Sequence, residues 1–318
     1  MRIDIEETAE ILLEKDKILI ICHASPDGDT LGSGYGLCLA LQRLGKLARV
    51  ICDDEIPACF SFVPDGVQIQ DFEPEYIVAV DVAAVSMLGS DQFTNFYKNK
   101  IDLCIDHHIS NTDYAPLTCI EETMAAAAAE TILLIINKMG VRIDREIAEC
   151  IYVGLSTDTG CFRFSNTTSR TMRMAADMID CGIDIDFINK LIFDTHPMGY
   201  MKLSAMALDN MISSDDGKIA LIFVTKEMFD LSGCPESEFH GLKSVPITIE
   251  GVKCGICLRE TKKGSYKVSV RTVSPYDANA ICKKFGGGGH IRASGCEIFD
   301  SLDGSIEKII AVCREFID

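Results

Sequence analysis

Residues 101–108 read Ile101-Asp102-Leu103-Cys104-Ile105-Asp106-His107-His108. A mostly apolar run of strand length stops at a carboxylate and two imidazoles, groups that are costly to bury unless they are paired or bind something. The same arrangement recurs upstream, where residues 17–22 end at His23 and residues 76–80 end at Asp81. Residues 47–52 form another β-branched run, and residues 31–44 carry a helical pattern between the first two strands. Strands alternating with helices predict a mostly parallel α/β sheet. In such sheets ligands bind beyond the carboxyl ends of the strands, often where the strand order reverses. His23, Asp81 and Asp106 would then converge on one edge. Each alone reads equally well as a strand terminator or a helix cap. Together, with two histidines, they read as a site.

Aspartate and histidine suit Mn²⁺, Fe²⁺ or Zn²⁺, and histidine is also the commonest proton shuttle near neutral pH. In His23-Ala-Ser-Pro26-Asp27-Gly28-Asp29, two carboxylates flank one glycine in a loop that leads into a helix. Asp158 stands in Ser156-Thr-Asp-Thr-Gly160. The inventory His23, Asp27, Asp29, Asp81, Asp106, His107, His108 and Asp158 is the size that two cations roughly 3.5 to 4 Å apart require. Such a pair makes hydroxide from water and stabilises charge on phosphorus oxygens.

The chain has 318 residues, enough for two domains, with 47% hydrophobic and 25% charged content, as in an ordinary soluble globular protein. A formal charge of −18 repels long polyanions, so a nucleotide substrate should be short. The acidic start lacks the pattern of a secretory signal, and the apolar stretch 124–139 is shorter than the ~20 residues of a membrane span. A cytoplasmic protein without a membrane partner is expected. Fifteen cysteines lie scattered through apolar runs, which reads as buried reduced thiols. Cys254-Gly-Ile-Cys257 falls in a strand-like stretch that would point its two thiols to opposite faces, which argues against a zinc site.

Residues 125–139 and 145–155 have helical patterns, the alanine run reading as close helix packing with no chemistry implied. Residues 177–190 continue as helix and turn. Strand-like runs resume at 219–224, 252–258 and 266–270. This predicts a first domain over 1–194, a linker over 195–212 and a second domain over 213–318. Near the end stands Phe285-Gly286-Gly287-Gly288-Gly289-His290-Ile291-Arg292-Ala293-Ser294-Gly295. Consecutive glycines can turn backbone N–H groups toward an anion, and Arg292 can hold a phosphate or carboxylate. Arg271 is a candidate to join them. A flexible loop explains the glycines, and a solvated surface Arg271, as readily.

Taken in order, His23-x-x-Pro26-Asp27-x-Asp29-x-x-Gly32-Ser33, Asp81, Asp106-His107-His108, Asp158 and the Gly-Gly-Gly-Gly-His290-x-x-Ala293-Ser294-Gly295 run resemble the DHH/DHHA1 phosphoesterase family. Within that family the compact two-domain form resembles the NrnA-type oligoribonucleases and pAp phosphatases. The resemblance implies an α/β fold, with a mostly parallel-sheet DHH domain, a smaller α/β DHHA1 domain and an active site in the interdomain cleft. It implies two divalent ions, Mn²⁺ for preference: His23 and Asp27 on one, Asp29, His107 and Asp158 on the other, and Asp81 bridging. Asp106 would orient His107, and His108 would face the scissile phosphate. Arg271, Gly287, Gly288, Gly289, His290, Arg292 and Ser294 would hold the substrate, and Arg163 is a candidate phosphate contact. Short RNA oligonucleotides or nucleotides such as pAp are the implied partners, with no long duplex nucleic acid. The oligomeric state stays open, a homodimer included. A RecJ-like exonuclease would need further domains and a basic channel, and a family II pyrophosphatase carries a different second domain. A cyclic-dinucleotide phosphodiesterase and a catalytically silent nucleotide-binding regulator are the remaining alternatives.

Overall fold

The computed structural model describes residues 1–121, 125–261, 264–289 and 291–317; Met124 and His290 lie outside the described residues. The chain forms two compact units, Met1–Thr195 and His196–Asp318.

The first unit holds strands β1 (Arg2–Ile3), β2 (Ile18–Cys22), β3 (Ala48–Ile51), β4 (Tyr76–Val80), β5 (Leu103–Asp106) and β6 (Leu117–Ile120). They lie in the order β1-β6-β5-β4-β2-β3, every neighbouring pair parallel. β2 and β4 are buried at every position, as parallel strands covered on both faces must be. Their side chains alternate between two apolar layers, Ile18, Ile20, Val78 and Val80 in one and Leu19, Ile21, Ile77 and Ala79 in the other. The strand order reverses at β2, which has β3 on one side and β4 on the other. A crevice therefore opens between the carboxyl ends of β2 and β4, where His23 and Asp81 stand.

Helices Gly28–Arg43, Ala128–Lys138 and Arg145–Asp158 pack over one layer. Gly32 lets two of them touch backbone to backbone. A Cβ there would lie 2.2 Å from the Cys150 carbonyl oxygen and 2.9 Å from the Gly154 nitrogen. One turn earlier, a Cβ on Gly28 would meet the Thr157 side chain at 2.4 Å. This contact sets the start of one helix, with Asp27 and Asp29, beside the end of the other, with Asp158.

The second unit holds β7 (Ile212–Ser213), β8 (Ile219–Val224), β9 (Cys254–Glu260), β10 (Tyr266–Thr272), β11 (Gly288–Gly289) and β12 (Ala293–Ile298) in the order β11-β12-β10-β9-β8-β7. β8 and β9 run parallel and the other neighbours antiparallel. The stretch 195–212, expected to be a linker, contains the helix Met198–Asp209. Its Tyr200, Leu203 and Ala207 pack with Ile222, Val224 and Cys257 of the sheet, so it is part of the second unit's core. Pro197 precedes this helix rather than interrupting it, a place where its missing N–H costs nothing. Cys254 and Cys257 face different apolar clusters, as strand alternation requires. The fifteen cysteines are buried or half-buried, none of them exposed. Among the described residues, no helix is long and apolar enough to cross a membrane.

Candidate metal centre

Asp81 caps β4 in a left-handed backbone conformation (φ 59°), unusual for a residue with a side chain, held by its N–H to the Ile105 carbonyl at 2.9 Å. Only 2% of it is exposed. Its Oδ2 lies 3.5 Å from His23 Nε2 and its Oδ1 3.5 Å from His107 Nε2. Asp27 Oδ1 approaches His23 Nε2 at 3.6 Å from the first side. Asp29 Oδ2 and Asp158 Oδ2 approach His107 Nε2 at 3.7 and 3.9 Å from the second. Two triads result, His23–Asp27–Asp81 and Asp29–His107–Asp158, each with its ligand atoms within 4.8 Å of one another.

The surroundings fix which ring atoms are available. His23 Nδ1 is 2.8 Å from the Ala24 carbonyl and His107 Nδ1 is 3.3 Å from that of Ala125. A carbonyl only accepts, so both rings carry hydrogen on Nδ1 and turn Nε2 toward Asp81, the atom that would bind a cation once its own proton is gone. Asp27 is the N-cap of the helix Gly28–Arg43, accepting from the Asp29 and Thr30 N–H groups at 3.0 and 3.1 Å. Asp29 caps a second helix from outside. Ala127, the N-cap of the helix Ala128–Lys138, makes no side-chain bond, and Asp29 accepts instead from the Ala128 and Ala129 N–H groups at 2.6 and 3.0 Å. Two helix N-termini thus support two carboxylates of the site, the exposed Asp27 and the buried Asp29.

Electrostatics report how crowded it is. Burial, then repulsion from Asp81 and Asp158, pushes Asp29 well above the usual carboxylate range. Burial pushes Asp158 up to about 6, with Asp81 adding to the rise and His107 opposing it. Burial works against a charged His23, yet Asp27 and Asp81 more than offset it and raise the ring to about 11. Asp81 Oδ1 is buried and has no hydrogen-bond partner among the described residues. A bare carboxylate oxygen 3.5 Å from His107 Nε2 fits a cation better than it fits protein alone. The donor set, two imidazoles and four carboxylates, is one that Mn²⁺, Fe²⁺ or Zn²⁺ accepts.

Asp106 has another role. Its Oδ1 accepts from His108 Nδ1 and the His107 backbone N–H, each at 2.8 Å, and its Oδ2 accepts from Asn111 Nδ2 at 2.6 Å. With both oxygens occupied, it is an orienting group rather than a cation ligand. The expectation that it orients the His107 ring is corrected: that ring is held by Ala125, and Asp106 holds the ring of His108. Alternation explains this, since residues two apart on an extended chain share a face and adjacent ones do not.

Comparison with known proteins agrees with this picture. Residues 17–155 match the DHH family, N-terminal domain, and residues 245–318 match the DHHA1 domain. The bifunctional oligoribonuclease and PAP phosphatase NrnA of Thermus thermophilus is 32% identical over 94% of this chain and 89% of its own length. The chain belongs to the DHH family. It is, with that family, a phosphoesterase. The Bacillus subtilis protein of the same name is 26% identical over 94% of this chain and 96% of its own. The crystal structure of an exopolyphosphatase-related protein from Bacteroides fragilis superposes with a TM-score of 0.88 at 27% identity, covering 98% of this chain and 95% of that one.

Of the remaining expected residues of this DHH protein, none that is described belongs to either triad. Arg163 directs Nε to the Gly160 carbonyl at 2.6 Å, within the turn that follows Asp158. In the second unit, Arg271 on β10 pairs in register with Ala293 on β12, beside Ser294. Gly288 and Gly289 form β11 and pair with Gly295 and Ser294. The hairpin itself demands glycine: a Cβ on Gly287 would lie 2.2 Å from the Gly295 carbonyl oxygen. Arg292 donates to the Val273 and Tyr276 carbonyls, which fastens the turn between them. Asn111 and the Ala125 carbonyl were missed in the sequence. Asparagine five residues past Asp106 is a faint signal, and a backbone carbonyl gives none.

Proposed function

We propose that this protein is a divalent-cation-dependent phosphoesterase that cleaves short oligoribonucleotides, linear dinucleotides among them, to 5′-mononucleotides, and also takes pAp to AMP. The observation that carries this reading is Asp81, a buried carboxylate with one oxygen toward each of two histidines. His23 and Asp27 would hold one ion, Asp29, His107 and Asp158 the other, and Asp81 would serve both, with Mn²⁺ the ion we assign among the Mn²⁺, Fe²⁺ and Zn²⁺ that this donor set accepts. Cations bound there supply Lewis acidity, easing deprotonation of a water and offsetting charge on phosphoryl oxygens. The Nδ1 position of each coordinating ring is fixed by a carbonyl, so the lone pairs need no reorganisation. His108, its Nδ1 engaged by Asp106, uses Nε2 to assist the phosphoryl oxyanion or the leaving oxygen. Burial lowers the basicity of His108, but Asp106 and Asp81 raise it to about 9, which keeps it charged at neutral pH.

The substrate choice is supported by the kinship with two proteins named as oligoribonuclease and PAP phosphatase. It is supported again by a net charge of −18, which disfavours long polyanions. We assign Arg271, Gly287, Gly288, Gly289, His290 and Ser294 to the substrate's terminal phosphate or nucleotide, with Arg292 shaping the turn beside them. The test is a panel of pAp, a linear dinucleotide, a cyclic dinucleotide, pyrophosphate and longer RNA, with Mn²⁺ and with Mg²⁺, on wild type and Asp81→Ala. Rapid turnover of the dinucleotide and pAp, lost in the variant, is expected. Equal turnover of dinucleotide and long RNA, or an Asp81→Ala enzyme as active as wild type, would overturn it.

A further inference from the structure

The alanine run reads in sequence as packing alone, yet its backbone touches all three members of the second triad. Ala125 accepts from His107 Nδ1 at 3.3 Å, and Ala128 and Ala129 donate to Asp29 at 2.6 and 3.0 Å. The third link passes through Asn166. Its Nδ2 lies 3.0 Å from the Ala126 carbonyl, 3.1 Å from the Asp158 carbonyl and 3.5 Å from Asp158 Oδ2. Three acceptors around one atom require the amide nitrogen there, not the oxygen. Oδ1 of Asn166 is buried with no partner among the described residues, so donation by Nδ2 is what holds this side chain.

Asp158 needs such a tether. It ends the helix Arg145–Asp158, and Gly160, Cys161 and Phe162 follow with φ of 57°, 58° and 61°, so the helix cannot continue past it. A helix C-terminus also repels a carboxylate, and among the described residues the Asp158 carboxylate accepts from Asn166 and from no backbone N–H. The first triad uses none of this: His23 leans on Ala24, and Asp27 caps its own helix.

We infer that Asn166 is a positioning residue that ties Asp158 to Ala126, and that the segment 125–129 sets Asp29, His107 and Asp158 as one unit, separately from the first triad. This rests on the two-cation reading above. Its consequence is selective: disturbing Asn166 weakens the second cation and leaves the first alone.

The experiment is calorimetric titration of Mn²⁺ into metal-free full-length wild type, Asn166→Ala and Asn166→Asp, with the melting temperature of each metal-free protein. Asn166→Asp keeps the shape and loses the NH₂ donor, so it tests the bond where the smaller side chain disturbs packing. Wild type is expected to bind two ions. Each variant is expected to keep one site unchanged and bind the other about 10- to 100-fold more weakly. Asp27→Ala should weaken the opposite site. Two unchanged sites in both Asn166 variants would overturn the inference, and so would equal weakening of both sites with a lower melting temperature, which marks a purely structural role. A wild type that binds fewer than two ions would remove the two-cation reading and this inference with it, a failure visible without any variant.

Discussion

Replacing Gly154 by alanine joins packing to chemistry at one methyl group. The added Cβ would lie 2.5 Å from Ala129 Cβ, 2.8 Å from Asp29 Oδ1 and 3.5 Å from Asp29 Cα. Carbon atoms ordinarily rest about 3.5–4.0 Å apart, so Ala129 and Gly154 must separate by roughly 1 Å or more. Neither can do so freely, because Gly154 lies under Gly32 and Ala129 belongs to the helix that Asp29 caps. Overpacking of this kind costs about 1–3 kcal/mol, and alanine returns about 1 kcal/mol of helix propensity. The net loss is then at most about 2 kcal/mol, which in a unit of this size lowers the melting temperature by up to about 8 °C. Function should suffer more than stability, since the displaced carboxylate accepts from the Ala129 N–H at 3.0 Å through Oδ1 and from the Ala128 N–H at 2.6 Å through Oδ2, which also lies 3.7 Å from His107 Nε2. Mn²⁺ affinity at the second triad is expected to fall by about 10-fold or more. Gly34→Ala is the control. Its methyl would meet the Cys22 sulfur at 2.7 Å, so it should cost stability without touching either triad. Chemical denaturation in chelator, Mn²⁺ titration and dinucleotide hydrolysis measure the three effects. A Gly154→Ala enzyme with wild-type Mn²⁺ affinity and turnover would refute the reasoning.

Other expectations are sharper in direction than in size. Asp81→Ala should lower turnover of a linear dinucleotide by more than about 100-fold, because the carboxylate placed between both histidines is gone. Asp106→Asn should move the high-pH loss of activity downward: a histidine raised to about 9 acts as an acid below that value, and neutralising Asp106 weakens the hydrogen bond that raises it most. An unshifted basic limb in a pH–rate profile would count against His108 as the acid. Mn²⁺ should raise the melting temperature of the chelator-treated protein, by the equivalent of about 4 kcal/mol at a thousandfold excess over Kd, and EDTA should reverse the gain. Asp81→Ala should abolish most of that rise.

The strands that deliver the site were legible because buried parallel strands are written as unbroken apolar runs, and the first polar residue after each run is the one at the sheet's edge. β2 and β4 begin or end within a residue of the expected places, and His23 and Asp81 follow from them. β1 and β6 were not legible: two and four residues carry no readable period. The glycine run reads as an anion loop, yet Gly287 is required by a hairpin whether or not an anion binds. The work of the alanine segment was hidden for a plainer reason, since its contacts are made by backbone atoms and Asn166 stands eight residues from Asp158 with no pattern joining them.

The fold itself explains why so many carboxylates can be kept together before any cation arrives. Asp27 and Asp29 each sit at a helix N-terminus, where partial positive charge and unpaired N–H groups favour an anion. These candidate ligands are therefore also structural caps: the helix that Asp27 caps carries Asp29, and the segment leading into the helix that Asp29 caps holds His107. Asp81 and Asp158 have no such support. One is held in a left-handed conformation with a bare oxygen, and the other ends a helix and is pushed up to about 6. The unfavourable terms thus fall on the carboxylate shared by the two triads and on the one tethered through Asn166. A cation relieves both at once, so binding and the final ordering of the site are expected to be a single event rather than two.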